Sequence, residues 1–275
     1  MHNISANGAN IPAIGLGTWT LRGAHCSDLV QAAIETGYRH VDTAAMYENE
    51  RDVGRGIARS GIARSEIFVT TKVWWTDLAA ADLRRSAEQS LDRLGLGNVD
   101  LLLVHWPSKT VPLAETVAAL NAARDDGLTR HIGVSNFPTA LLGQAIALSP
   151  SPMVANQVEY HPMLDQTTVH AACRNAGMAM IAYCPLGQGL DPMRQAAIAD
   201  AARAHGRTPG QIVLRWHIQQ EGVAAIPRTS RRERLAENLA VGDFALTGEE
   251  MAAISSLRIA NARICTGGQA PEWDE

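Results

Sequence analysis

The alternation of eight short β-rich runs with longer helix-patterned segments constrains this chain more than any other feature. The runs fall at residues 15–18, 40–43, 67–72, 99–105, 131–135, 154–158, 180–183 and 223–227. Between them lie Ala/Leu/Arg/Glu-rich segments, such as 83–94, 113–124 and 167–176, whose apolar residues recur every three to four positions. Several close on glycine, at Gly37, Gly95, Gly127 and Gly177, where a left-handed residue ends a helix. Strands that alternate with helices pair in parallel, because a parallel neighbour is reached only through a long crossover. Eight such units within 275 residues match an α/β fold of the (β/α)8, or TIM barrel, type. Ahead of them, residues 4–14 alternate apolar with polar around Asn7-Gly8, which predicts a short N-terminal β-hairpin. An open doubly wound sheet is the rival, but a dinucleotide-binding sheet of that kind would carry a G-x-G-x-x-G turn, and the chain has none. No Pro/Gly/Ser-rich linker divides the sequence, so residues 1–275 are expected to form one barrel domain.

Charge and cysteine usage narrow the function classes. Lys plus Arg number 24 against 28 Asp plus Glu, a net charge of −4, so the basic excess that favours nucleic acid is missing. Cys26, Cys173, Cys184 and Cys265 are scattered without a CxxC pair, which suggests neither a disulfide framework nor a zinc site and fits a reducing compartment. The first residues lack the basic-then-apolar pattern of a leader, and no apolar run approaches the ~20 residues of a membrane span. A cytoplasmic, monomeric protein is expected, with a small molecule as partner and neither nucleic acid nor membrane.

A barrel of this type builds its site where strands end, so the polar residues that close each strand matter most. Asp42 closes the second strand, with Tyr47 in the loop that follows; Lys72 closes the third, and His105 closes the fourth within Val104-His105-Trp106-Pro107. Singly, such residues are more often a helix cap, a solvated charge or a hydrogen-bonded scaffold histidine. Their coincidence at three successive strand ends favours a catalytic group. A tyrosine titrates near pH 10, and a cation at ~4 Å is worth roughly 4 kcal/mol at an effective dielectric of 20, so Lys72, oriented by Asp42, is expected to lower the Tyr47 pKa. Tyr47 would then protonate an oxygen that is becoming an alkoxide, with His105 orienting that oxygen or sharing the proton relay. Such a group supplies no electrons, so a bound nicotinamide is the expected hydride donor.

The segments Gly37-Tyr38-Arg39-His40-Val41-Asp42-Thr43-Ala44 with Tyr47 and Glu50, Thr71-Lys72-Val73-Trp74, and Val104-His105-Trp106-Pro107 resemble the successive signatures of the aldo-keto reductases. The likeness continues through Gly133-Val134-Ser135-Asn136-Phe137, Asn156-Gln157, Tyr183-Cys184-Pro185-Leu186-Gly187 and Ile226-Pro227-Arg228-Thr229, to Glu237-Asn238. Within that family, the short loops and the closing Ala270-Pro271-Glu272-Trp273-Asp274 resemble the bacterial 2,5-diketo-D-gluconate reductases of the B type.

The resemblance implies NADPH-dependent reduction of an aldehyde or ketone, with 2,5-diketo-D-gluconate or a small dicarbonyl among the substrates. It implies Tyr47 as general acid, Lys72 and Asp42 as the pair that tunes it, and His105 as the orienter of the carbonyl. Ser135, Asn136 and Gln157 match the positions that bind the nicotinamide carboxamide, and Tyr183 the ring that stacks on it; Thr18, Asp42 and Leu186 are further cofactor contacts. Arg228, Thr229 and Arg234 match the grip on the adenosine 2′-phosphate, with arginine at 228 where the family usually has lysine, and Glu237 and Asn238 match the adenine contacts. Arg228, Arg231, Arg232 and Arg234 are placed at the start of the last regular helix. Trp19, Trp74 and Trp106 are implied to wall the substrate pocket, with Met46 and Gln188 at its rim. Cys184 stands where serine is common and has no expected catalytic task. A metal-dependent hydrolase using His40, Asp42, His105 and His161 is disfavoured by the lack of an HxH pair and by the positive charge of Lys72, so no metal is expected. A non-catalytic nicotinamide-binding regulatory subunit is the other alternative, which the intact Asp42, Tyr47, Lys72, His105 set argues against.

Overall fold

A computed structural model of the chain describes residues 2–274. The hairpin pairs β1 (Asn3–Ala6) with β2 (Ala9–Pro12). There follow β3 (Leu16–Gly17), α1 (Gly23–Thr36), β4 (His40–Asp42), α2 (Glu50–Arg59), β5 (Phe68–Val73), α3 (Ala80–Leu94), β6 (Val99–Val104), α4 (Leu113–Asp125), β7 (Thr129–Ser135) and α5 (Thr139–Leu148). The second half runs β8 (Met153–Glu159), α6 (Thr167–Asn175), β9 (Ala179–Tyr183), α7 (Ala196–His205), α8 (Pro209–Gln219), β10 (Val223–Ala225), α9 (Glu233–Leu239) and α10 (Gly248–Ser255). Strands β3 to β10 form one parallel sheet in sequential order. Its ends meet: Ile14 bridges Ala225 in parallel, and the Gly15 amide donates to the Ala225 carbonyl at 2.9 Å and that of Gly17 to Pro227 at 3.1 Å. The sheet is therefore the expected (β/α)8 barrel. Among the described residues no helix is long and apolar enough to cross a membrane.

Strands β6, β9 and β10 read as near-continuous apolar runs because both faces are covered, one by the barrel interior and one by the helices. All of β6 and β8 are buried. In the hairpin, Asn7 and Gly8 both take positive φ, 44° and 89°, the turn that matches strand twist. The Asn7 amide then donates to the carbonyls of Met153 (2.7 Å) and Ala176 (2.9 Å), which fixes the hairpin across the N-terminal end of the barrel. The opposite end, where Asp42 and its companions stand, stays open.

Two expectations need correction. The eighth strand stops at Ala225 rather than 227: Ile226 still donates to Ala182, but Pro227 has no amide hydrogen with which to continue the ladder. The helix after the arginine cluster is not the last, since α10 follows, started by a capping box in which Thr247 and Glu250 bond each other's backbone amides. Helix α2 packs tightly through glycine. A Cβ on Gly54 would collide with the Leu94 carbonyl at the end of α3, and one on Gly56 would lie 2.6 Å from the Ser27 carbonyl of α1. Gly143 in α5 has nothing within 4 Å. Gly54→Ala should therefore lower unfolding free energy by about 1–3 kcal/mol or more. Gly143→Ala should raise it by roughly 0.5–1 kcal/mol. Denaturant titration reads both, and equal losses would refute the packing argument.

Candidate active site

Three consecutive barrel units converge on one buried ammonium. In the register of β4 and β5, Asp42 lies opposite Thr70, and Lys72, two residues on, faces the same side of the sheet. Lys72 is fully buried, and its Nζ lies 2.5 Å from Asp42 Oδ1, 2.9 Å from the Thr43 carbonyl and 3.4 Å from the Tyr47 hydroxyl. These three partners use all three ammonium hydrogens. The second Asp42 oxygen accepts a 2.7 Å bond from Gln157 in β8, across the barrel. Thr71, on the outer face, donates to Glu50, whose other oxygen holds Arg93, so α2 and α3 are fastened behind the same strand. Tyr47 ends a single 3-10 turn, Ala45–Tyr47, its ring 4.9 Å from that of Trp19 and 5.5 Å from that of His105.

Desolvation governs the charge states. Burial lowers the Lys72 pKa, opposed by the Asp42 carboxylate. Burial, reinforced by Asp42, holds Tyr47 well above the ordinary phenol value. This corrects the expectation that Lys72 would lower it: loss of water and the nearby carboxylate outweigh the ammonium. Burial and then the Lys72 charge push His105 well below the usual histidine range, so its ring is neutral. His105 Nδ1 is buried without a partner among the described residues. The site thus holds a protonated phenol and a neutral imidazole around one fixed cation.

These groups open onto a cleft of about 790 Å³ at the C-terminal end of the strands. Thr18, Trp19, Met46, Trp74, Trp106, Asn136, Gln157, Tyr183, Leu186, Gln188 and Arg228 all line it, as do Asp42, Tyr47 and His105. The Tyr183 hydroxyl donates to Asn136 Oδ1 (2.8 Å), and the Asn136 amide donates to the His105 carbonyl (2.9 Å) and to Ser135 (3.1 Å). Asn136 takes φ 64°, a left-handed conformation that asparagine tolerates better than most residues. Ser135, Thr229, Arg234, Glu237 and Asn238 are not in the wall: Ser135 donates to the Gln157 carbonyl, Thr229 bonds the Arg231 backbone, and Glu237 accepts from Thr208 of the α8 cap. Arg228 reaches back to the Trp19 carbonyl and the Thr20 hydroxyl. Among the described residues no three His, Cys, Asp or Glu side chains gather as metal ligands.

Sequence reasoning missed the wall supplied by the C-terminal tail: Ile264, Cys265, Gly267 and Gln269. The buried Glu159 carboxylate accepts the Ile264 and Cys265 amides, both at 2.7 Å, and Asp274 accepts the amide and hydroxyl of Thr139 at the start of α5. Trp273 stacks edge-on with Trp106 and lies under the Arg263 guanidinium. The tail has no periodicity that would place it; a buried acidic residue at a strand end was the one available signal.

The His105 shift carries a pH consequence. Its folded pKa lies below the unfolded value of 6.5, so below that pH the unfolded chain takes up a proton that the folded one refuses. The stability contribution is complete above pH 6.5 and falls as pH drops below it, by up to about 1.4 kcal/mol per pH unit. Denaturation of the wild type and of His105→Gln between pH 7 and pH 5 should show a shallower acid loss in the variant; parallel curves would contradict the assignment.

The sequence profile described as the Aldo/keto reductase family matches residues 13–259. The chain is 39% identical over 267 residues to methylglyoxal reductase DkgB of Escherichia coli O157:H7, covering 96% of this chain and 99% of that protein. It is 40% identical over 254 residues to the 9,11-endoperoxide prostaglandin H2 reductase of Trypanosoma cruzi, covering 91% and 89%. The crystal structure of a protein provisionally designated 2,5-diketo-D-gluconic acid reductase B superimposes with a TM-score of 0.97 at 46% identity, over 100% of this chain and 98% of that one. A Bombyx mori aldo-keto reductase crystallised with NADP gives 0.88 at 35% identity, over 93% and 92%. With a family profile spanning most of the barrel and full-length relatives at this identity, the chain belongs to the aldo/keto reductase family.

Proposed function

We propose that the protein, as one barrel domain, reduces the carbonyl of a small polar aldehyde or ketone to an alcohol with NADPH. The observation that carries this reading is the Tyr47 hydroxyl within 3.4 Å of a buried ammonium, beside a neutral His105, on the wall of a large cleft. The cleft fits the nicotinamide end of a dinucleotide. Its volume exceeds what a small carbonyl needs, and its polar groups retain capacity where a carboxamide would sit: Gln157 keeps its oxygen and one amide hydrogen, and Asn136 Oδ1 keeps a lone pair. Asn136, Gln157, Tyr183, Leu186 and Thr18 would hold the nicotinamide end, and Arg228 and Arg234 the 2′-phosphate, with Ser135, Thr229, Glu237 and Asn238 as supporting positions.

A bound reduced nicotinamide supplies the hydride. Tyr47 gives its proton to the carbonyl oxygen as that oxygen gains negative charge. The phenolate left behind faces the Lys72 ammonium, an attraction of roughly 4 kcal/mol at 4 Å and an effective dielectric of 20. Burial keeps the resting phenol protonated, and Lys72 reduces what the loss of that proton costs in the dry site. Asp42 keeps Lys72 charged and aimed, and neutral His105 donates an N–H to the same oxygen. Trp19, Trp74 and Trp106 line the cleft around the reacting carbon.

A small substrate, such as methylglyoxal, another dicarbonyl or a keto-sugar acid like 2,5-diketo-D-gluconate, suits the short connections at 107–113 and 187–192. Gln188 and Gln269 supply amides at the rim for hydroxyl or carboxylate groups. Names given to the E. coli relative and to the structural neighbour point the same way.

A panel of small dicarbonyls, keto-sugar acids, aromatic aldehydes and a steroid ketone, assayed with NADPH, tests the reading; Tyr47→Phe should lower kcat about 10²- to 10⁴-fold while NADPH affinity stays nearly unchanged. Near wild-type kcat with chemistry rate-limiting would remove Tyr47 from the acid role, and best turnover of the steroid would overturn the substrate class. Cofactor choice gives a second outcome. Arg228 spends two donors on the loop after β3, leaving three for a phosphate. Arg228→Ala should weaken NADPH roughly 10- to 100-fold and NADH far less, and salt should erode NADPH binding faster. Equal losses for both cofactors would make Arg228 a loop support.

A further inference from the structure

Cys184 and Cys265 lie 81 positions apart in the sequence, one just past β9 and one in the C-terminal tail, and both line the cleft. Each thiol is the largest influence on the other's ionisation. Each is partly exposed, whereas Cys26 and Cys173 are buried. The tail is held at this point by Glu159, which takes the Cys265 amide, and Glu159 pairs in register with Tyr183, the residue before Cys184. Cys184 takes φ 48°, an uncommon conformation for a residue with a side chain. The two thiols are thus presented to each other by two separately anchored segments, with no third ligand to make a metal site among the described residues.

We propose that Cys184 and Cys265 form a reversible redox pair whose disulfide locks the C-terminal tail to the end of β9 across the cleft. The pair is asymmetric. Cys184, then burial and the Glu159 carboxylate, hold the Cys265 thiol protonated, and Cys265 stabilises a thiolate at Cys184, whose pKa is lowered. Cys184 is therefore the attacking sulfur. Its thiolate attacks hydrogen peroxide, the O–O bond breaks, and a sulfenic acid forms as the departing hydroxide takes up a proton to become water. The Cys265 sulfur then attacks the sulfenic sulfur. The S–S bond forms as S–O breaks, and the leaving hydroxide takes the Cys265 proton as a second water. Two thiols lose two electrons and one peroxide gains them. A dithiol reductant reverses the change.

The test treats the reduced full-length protein with hydrogen peroxide, blocks remaining thiols with an alkylating reagent and maps peptides without reduction. The expected product is one peptide that joins Cys184 to Cys265, lighter by two hydrogen atoms and restored by dithiothreitol, with Cys26 and Cys173 alkylated only after denaturation. Cys184→Ser and Cys265→Ser should each abolish it. Amide exchange at residues 261–267 should slow in the oxidised protein. Two free thiols, over-oxidation of Cys184 with Cys265 still alkylated, a disulfide between two molecules, or a cross-link that leaves tail exchange unchanged would each overturn the proposal. The cofactor reading of the cleft adds a separate arm, several-fold slower NADPH exchange after oxidation. Failure of that arm alone, with cross-link and slowed amide exchange present, counts against the cofactor reading and leaves the thiol pair supported.

Discussion

The buried ion pair between Lys72 and Asp42 is the constraint around which the open end of the barrel is arranged. Removing one partner of such a pair leaves an uncompensated charge and typically costs about 3–5 kcal/mol, so neighbouring strands cannot shift without leaving one unsatisfied. Asp42 belongs to β4 and Lys72 to β5, while Gln157 in β8 reaches the same carboxylate from across the barrel. Register, strand order and charge placement therefore specify one another. The chain has 22 arginines and only two lysines, Lys72 and Lys109. A compact ammonium with three donors matches one carboxylate, one carbonyl and one hydroxyl, where a planar guanidinium would not.

Behind this pair the packing is graded outward. Glu50, Thr71 and Arg93 couple the back of β5 to helices α2 and α3, and Gly54 and Gly56 let α2 nest against both of its neighbours. In front of it, Tyr47 and His105 sit between the cation and three tryptophans. The gradient from a dry, charged floor to an aromatic rim makes an electrostatic effect at the floor strong.

Much of this was legible in the sequence because it follows from short-range rules. The eight β-rich runs and the glycine stops located the barrel units, and Asn7-Gly8 located the hairpin. The strand-end rule brings Asp42, Tyr47, Lys72 and His105 together from the sequence alone. What escaped depends on long-range desolvation and irregular chain. The sign of the Tyr47 shift reversed because burial, which a motif cannot measure, exceeds the influence of Lys72. The tail from 256 onward has no period to read, so its wall of Ile264, Cys265 and Gln269 and its anchors at Glu159 and Thr139 could not be inferred. Helix α10 was within reach, since Thr247 and Glu250 spell a capping box.

The closing bridge between Ile14 and Ala225 joins residues more than two hundred positions apart, and the Asn7 turn is held by carbonyls from the second half of the chain. During synthesis at roughly 5–20 residues per second, the first strand waits roughly 10–40 s for its partner to leave the ribosome. For much of that interval the Asn7 turn lacks the Met153 and Ala176 carbonyls that hold it, and throughout it one strand edge lacks its partner. A nascent barrel of this kind is an open sheet, with an unpaired edge, until its seam closes.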